Sequence, residues 1–165
     1  NQVMDEDSIY VKSVLTHHVS LSPDEIEHGV DETVINTLKT QIEGKCSKDG
    51  FIKNDSINII KRSTGFLRNN QFTGDVHYQV LYSCLVCNPS TGQEIMCKVK
   101  QKNKMGILAE FGPLLIIIPF QHHSNKNIFQ NIEQGTTLII SVIGKRFNVN
   151  DNNISIVGKV KEILT

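Results

Sequence analysis

The chain has 165 residues, enough for one large domain or two small ones. Its 17 Lys and Arg balance 17 Asp and Glu, which excludes a global basic field, so any footprint for nucleic acid has to be local. The longest apolar run, Leu114 to Ile118 with Phe120 after Pro119, is far short of the ~18–20 residues that span a bilayer. Four cysteines (Cys46, Cys84, Cys87, Cys97) follow no extracellular framework, and no signal peptide precedes them. The expectation is a soluble intracellular protein with reduced thiols and no membrane partner.

Asn1 to Ser8 is polar and acidic and reads as a frayed end. Ile9 to Leu21, rich in β-branched residues, predicts a strand, and Ser22-Pro23-Asp24-Glu25 a turn or helix start. Val30, Val34, Ile35, Leu38 and Ile42 recur at three-to-four spacing and predict a helix that ends at Gly44. Phe51 to Lys61 reads as a second strand, Gly65 to Gly74 as a loop region, and Val76 to Cys87 as a long third strand. Both faces of that third strand are apolar, which predicts cover on both sides.

Asn88-Pro89-Ser90-Thr91-Gly92 is the candidate joint, because proline removes a ladder donor and glycine frees a sharp turn. Beyond it, Ile95 to Lys104 is followed by a glycine bend and by Gly106 to Phe111, which closes on Gly112-Pro113. Leu114 to Ile118 comes next, then a polar crossing from Gln121 to Gln134, then Thr137 to Asn148 and Ile154 to Ile163. Five strands in about 70 residues fit a small OB barrel. The fold class is therefore mainly β with one or two helices (α+β), divided into 1–89 and 90–165.

Cys84-x-x-Cys87 lies on a strand, where side chains three apart point to opposite faces, so the pair reads as small buried hydrophobes and not as metal ligands. His17-His18 and His122-His123 are neighbours without helical ligand spacing, and His17 and His18 read as one inward and one outward strand position. No nucleophile elbow, phosphate-binding glycine loop or paired carboxylates occur. No catalytic residue, cofactor or metal is expected. The local basic feature is Lys98, Lys100, Lys102 and Lys104; the first three alternate with Val99 and Gln101 and should share the outer face of the first barrel strand. That stripe is either a solvated face or a set of phosphate contacts. In the second case Lys145 and Arg146 add charge, and Phe120 or Phe147 offers a stacking surface.

Three stretches carry a family resemblance. They are Glu43-Gly44-Lys45-Cys46 with Gly50-Phe51-Ile52; Val80 to Pro89 with Thr91-Gly92-Gln93-Glu94 and Gly106 to Leu114; and Val142-Ile143-Gly144-Lys145-Arg146 with Asn150-Asp151 and Ile156-Val157-Gly158. In this order and spacing the chain resembles the larger stalk subunit of multi-subunit DNA-directed RNA polymerases, the seventh subunit of eukaryotic polymerase II and its archaeal counterpart. The resemblance implies an N-terminal ribonucleoprotein-like tip domain followed by an OB barrel of the ribosomal S-one type. It implies a non-catalytic subunit that docks on the core subunits near the clamp and faces nascent single-stranded RNA, acting in initiation and transcript handling. A smaller fourth-subunit-like partner accompanies it in the family. The docking loop would be Arg62, Ser63, Thr64, Gly65 and Phe66. Leu108 stands where the family often has an aromatic, and the loop at 62–67 has one glycine where the family tends to pair two. AT-biased composition fits a large DNA virus (virion and host cytoplasm) and also a protist (nucleus). A free RNA-binding accessory of translation or RNA decay would use the same barrel but has no need of the first ninety residues.

Overall fold

The computed structural model describes residues 5–68, 73–123 and 126–164. The chain forms two compact units, one of Val11–Lys45 with Ile52–Val86, the other of Asn1–Tyr10, Cys46–Phe51 and Cys87–Thr165.

In the first unit, β1 (Tyr10–Leu21) leads into a short helix, α1 (Pro23–Ile26). Ser22 starts it with a reciprocal capping box: its hydroxyl accepts from the Glu25 amide and the Glu25 carboxylate accepts from the Ser22 amide. Helix α2 (Val30–Ile42) follows, and its buried stripe of Val34, Leu38 and Ile42 packs with Val19, Leu21, Tyr78, Val80 and Tyr82. It stops before Gly44, whose φ of +69° favours glycine and where a Cβ would stand 2.6 Å from Asn54 Oδ1 and push that side chain aside.

The single strand expected from Phe51 to Lys61 is in fact two. A hairpin of β2 (Cys46–Ser47) and β3 (Gly50–Ile52) comes first, and β4 (Asn58–Arg62) resumes after a turn. Asp55 at φ 60° breaks the ladder there, and the Ser56 hydroxyl holds the turn by donating to the Lys53 carbonyl at 2.7 Å. Strand β5 (Val76–Cys87) pairs with β1 and β4. It is not covered on both sides as its apolar content suggested. Tyr78, Val80, Tyr82, Cys84 and Val86 are buried, whereas Gln79 is exposed and Leu81, Ser83 and Leu85 are half-buried.

The second unit is a closed five-stranded barrel of the OB type, as the sequence predicts. Strands β6 (Glu94–Lys102), β7 (Gly106–Phe111), β8 (Leu114–Pro119), β9 (Thr137–Arg146) and β10 (Ile154–Leu164) close in the order β10-β8-β7-β6-β9. Only the β8–β10 pair is parallel. Ile95, Ile107, Ile116, Ile118, Leu138, Ile140 and Ile156 fill the interior with 2 % exposure or less.

The stretch read as a polar crossing contributes to this core. Its 3-10 turns, Phe120–His122 and Lys126–Asn131, are followed by Ile132, and Phe129 and Ile132 are buried with the barrel residues. His123, also buried, ties the crossing to β10. Its Nε2 accepts from the Val160 amide at 3.0 Å, so Nδ1 carries the proton and donates to the Pro119 carbonyl at 3.0 Å.

The chain does not divide at one point near residue 89. The Cys46–Phe51 hairpin belongs with the barrel because the Cys46 amide donates to the Asp151 carbonyl and the Asn150 amide to the Cys46 carbonyl, each at 2.8 Å. Asn150 takes a positive φ of 75° to make this turn. Cys46 and Asn150-Asp151, far apart in sequence and both within the resemblance, thus meet in space.

Candidate nucleic-acid interface and docking loop

The lysines of β6 do not form the single stripe that alternation predicts. Lys98 stands opposite Glu110, Val99 opposite Ala109, and then the register slips, so that Gln101 faces Leu108 and Lys102 faces Ile107. Lys100 is the extra residue of a β-bulge, and every side chain after it changes face. Lys102 shares a face with the buried Ile107 and donates its ammonium hydrogen bond to the Phe129 carbonyl at the barrel end. Lys100 pairs with Glu110 at 3.6 Å, a surface contact of small energetic weight that nonetheless sets an acid beside the cations. Lys98 keeps the outward direction, and Lys104 lies on the hairpin after β6. The Asn103 carboxamide shapes that hairpin by accepting from the amides of Met105 (2.8 Å) and Gly106 (3.1 Å).

Lys145 and Arg146 lie elsewhere. Lys98 pairs with Thr137 at the start of β9, and Arg146 ends that strand, so the two cations are remote along the ladder. Lys145 opposes the buried Ile156 and donates to the Asn88 side chain, leaving Arg146, opposite Ser155, to face outward. Phe120 is half-buried with its ring 4.3 Å from that of Phe129, and Phe147 also packs on the barrel core. Both are half-buried. Around the barrel the row from Lys98 to Arg146 runs through Glu110, Leu115 and Ser155, and the outward row beside it is apolar. Leu108 pairs with Ile117 and Ile117 with Val157, and Ile117 is 43 % exposed. Aliphatic side chains have no π-face for a base.

In the predicted docking loop the residues split into two groups. Arg62 is half-buried and already paired: Nε donates to Oδ1 of the exposed Asp31 at 2.6 Å, and the guanidinium lies 5.3 Å from the centre of the Tyr78 ring. Ser63 is stitched to Gln79 by two 2.9 Å hydrogen bonds. Gly65 is packed so closely that a Cβ would stand 2.4 Å from Val76 Cγ1. Thr64, Phe66, Leu67 and Arg68 are exposed, with Phe66 at 40 % and Leu67 at 65 %. The loop thus has an anchored half and an apolar presented half, and the sequence-predicted set omitted Leu67 and Arg68.

A feature missed in the sequence lies under that presented half. Phe66 and His77 exchange backbone hydrogen bonds of 3.0 and 2.8 Å, and His77 Nδ1 is 2.8 Å from His18 Nε2. Their rings stack at 4.8 Å, while His17 turns the other way to Gln41 at 2.9 Å. The only sequence signal was the His17-His18 doublet on a strand, which assigns opposite faces but not the partner. Cys84 and Cys87 sit in different cores. Burial pushes the thiols of Cys87 and Cys97 up to about 12 and that of Cys46 up to about 11, which keeps all three protonated and unreactive at neutral pH.

No family model matches the chain. It is similar to a protein of Acanthamoeba polyphaga mimivirus named as a DNA-directed RNA polymerase subunit, 27% identical over 174 residues that cover 98% of this chain and 87% of that one. It is similar to DNA-directed RNA polymerase II subunit RPB7 of Glycine max, 28% identical over 170 residues and 90% of each chain. A shorter match, 33% identical over 107 residues, covers 64% of the chain and 58% of DNA-directed RNA polymerase II subunit 7 of Arabidopsis thaliana. The resemblance carried by the three motif stretches is borne out by these relatives, two of which span nine-tenths or more of the chain.

Proposed function

We propose that this relative of the seventh polymerase II subunit is itself a subunit of a DNA-directed RNA polymerase, serving as its larger stalk protein and carrying no active site of its own. The similarity to the mimivirus polymerase protein, running through 98% of the chain, is the observation that supports this most strongly. A viral polymerase, working in the virion and host cytoplasm, is the favoured setting. The first unit is the tip that docks near the clamp, and it does so through the presented residues Phe66 and Leu67, with Arg62 shaping the loop. The barrel faces nascent RNA during initiation and transcript handling, using the outward cations Lys98, Lys104 and Arg146 for weak phosphate contacts. A smaller fourth-subunit-like protein accompanies it.

Affinity purification of the tagged full chain from its native cell or virion should return the large polymerase subunits in near-equal amounts. Phe66→Ser with Leu67→Ser should lose them in a salt wash while the variant stays folded. Recovery of ribosomal or RNA-decay proteins in place of polymerase would overturn the reading.

A further inference from the structure

The His18–His77 pair has one acceptable proton arrangement. Arg68 donates toward His18 Nε2 at 3.4 Å, so this nitrogen is an acceptor and the 2.8 Å contact must be filled by the Nδ1–H of His77. His77 is 4 % exposed, and its other nitrogen, Nε2, is buried with no hydrogen-bond partner among the described residues. A proton added at His18 Nε2 opposes two N–H donors, those of Arg68 and His77. The groups bearing on His18 are Arg68 from the loop, His77 from β5 and His17 from its own strand, none of them a carboxylate that could offset new charge. Burial, followed by the charges of Arg68 and His77, holds His18 below its ordinary value.

This pair is mechanically connected to the loop. His77 carries the two backbone hydrogen bonds to Phe66, and the Phe66 ring lies 5.7 Å from the His77 ring and 6.4 Å from that of His18. We propose that His18, stacked on His77, forms a proton-sensitive support for the exposed Phe66–Arg68 segment, holding it on the sheet while the His18 ring is neutral and releasing it when that ring is protonated. As regulation of polymerase docking this rests on the function proposed above; the support itself does not.

The sign is fixed by the lowered value of His18. The native arrangement binds the proton less well than an open loop, so the support is complete above the ordinary histidine range, ~6.5, and is lost as pH falls through and below it. Amide hydrogen exchange on the full chain at about pH 7.5 and about pH 5.5, corrected for intrinsic rates, reads it directly. Protection of the Phe66 and His77 amides should drop at the lower pH, by up to about tenfold for one histidine, while barrel amides such as Ile107 and Ile140 keep theirs. His18→Gln, which keeps an acceptor but cannot titrate, should hold protection at both values. Should that variant loosen the loop by itself, the ring-proton titration of the parent decides: His18 must titrate below the ordinary range. Unchanged Phe66 and His77 protection, or ordinary titration of His18, would overturn the proposal. A pH-dependent loop in a chain that never co-purifies with polymerase would sink the docking function and leave the support standing.

Discussion

Lys102 stands three residues after Val99, and the extra residue Lys100 between them decides what its ammonium can do. Without the bulge it would point to solvent beside Lys98 and Lys100; with it, the stem runs along the barrel end to the Phe129 carbonyl. A charged donor satisfying a carbonyl of the crossing is a structural contact, worth on the order of 1.5–3 kcal/mol when buried and less at a partly solvated end. Lys102→Met keeps the stem and removes the donor, and should lower stability by about 1–2 kcal/mol in urea unfolding. It should leave the salt dependence of any single-stranded RNA binding unchanged. Lys98→Gln should do the reverse: near-parental stability, with the log–log salt slope reduced by about 0.7 if Lys98 meets a phosphate. A loss of salt slope in Lys102→Met would return this lysine to the nucleic-acid face. By the same reasoning Arg62 is already engaged at the surface, by Asp31 and by the Tyr78 ring.

At the scale of elements, the hairpin of β6 and β7 shows how glycine marks a close approach and not only a bend. A Cβ on Gly106 would stand 2.5 Å from the Ile118 carbonyl oxygen, a backbone atom that cannot swing aside, and Gly106 pairs with Pro119 in the β7–β8 ladder. Gly106→Ala should therefore cost about 1–3 kcal/mol through overpacking. Gly144, on β9, has nothing within 4 Å of the same notional atom, and Gly144→Ala should stay within about 0.5 kcal/mol of the parent. Equal urea midpoints for the two variants would show that the Ile118 backbone yields easily. Elements whose local signals agreed were legible in the sequence: the α2 stripe with its terminal glycine, the capped turn at Ser22, and the five barrel strands set off by Gly112-Pro113 and Asn150-Asp151. The misses share a cause, which is that tertiary contacts decided them. Nothing in Lys-Val-Lys-Gln-Lys announces a bulge, because either face accepts lysine at a barrel end. Asp55 breaks a run that reads as continuous strand, and Ile128, Phe129 and Ile132 form too short an apolar cluster within a polar stretch to announce that Phe129 and Ile132 are buried in the barrel core. The His18–His77 contact was invisible for the same reason, being made by residues 59 positions apart.

For the whole molecule, the net charge of zero and the two separate cores set different expectations. Balanced charge gives no long-range steering toward nucleic acid, so any binding of single-stranded RNA by the isolated chain should be weak. Stability, in turn, is assembled twice. Leu38, fully buried, packs α2 against β1 and β5 in the first core, and Ile140, equally buried, lies inside the barrel. Each has few ways to relax after truncation, so Leu38→Ala and Ile140→Ala should each cost about 2–5 kcal/mol, felt first in its own core. Following urea unfolding residue by residue by NMR tests this. Leu38→Ala should lower the midpoints of Val19, Val80 and Tyr82 and spare Ile107, Ile116 and Leu138, and Ile140→Ala should do the opposite. If either variant moves all midpoints together, the two cores unfold as one cooperative body. Independent midpoints would mean that the first unit can loosen, histidine pair included, while the barrel keeps its shape.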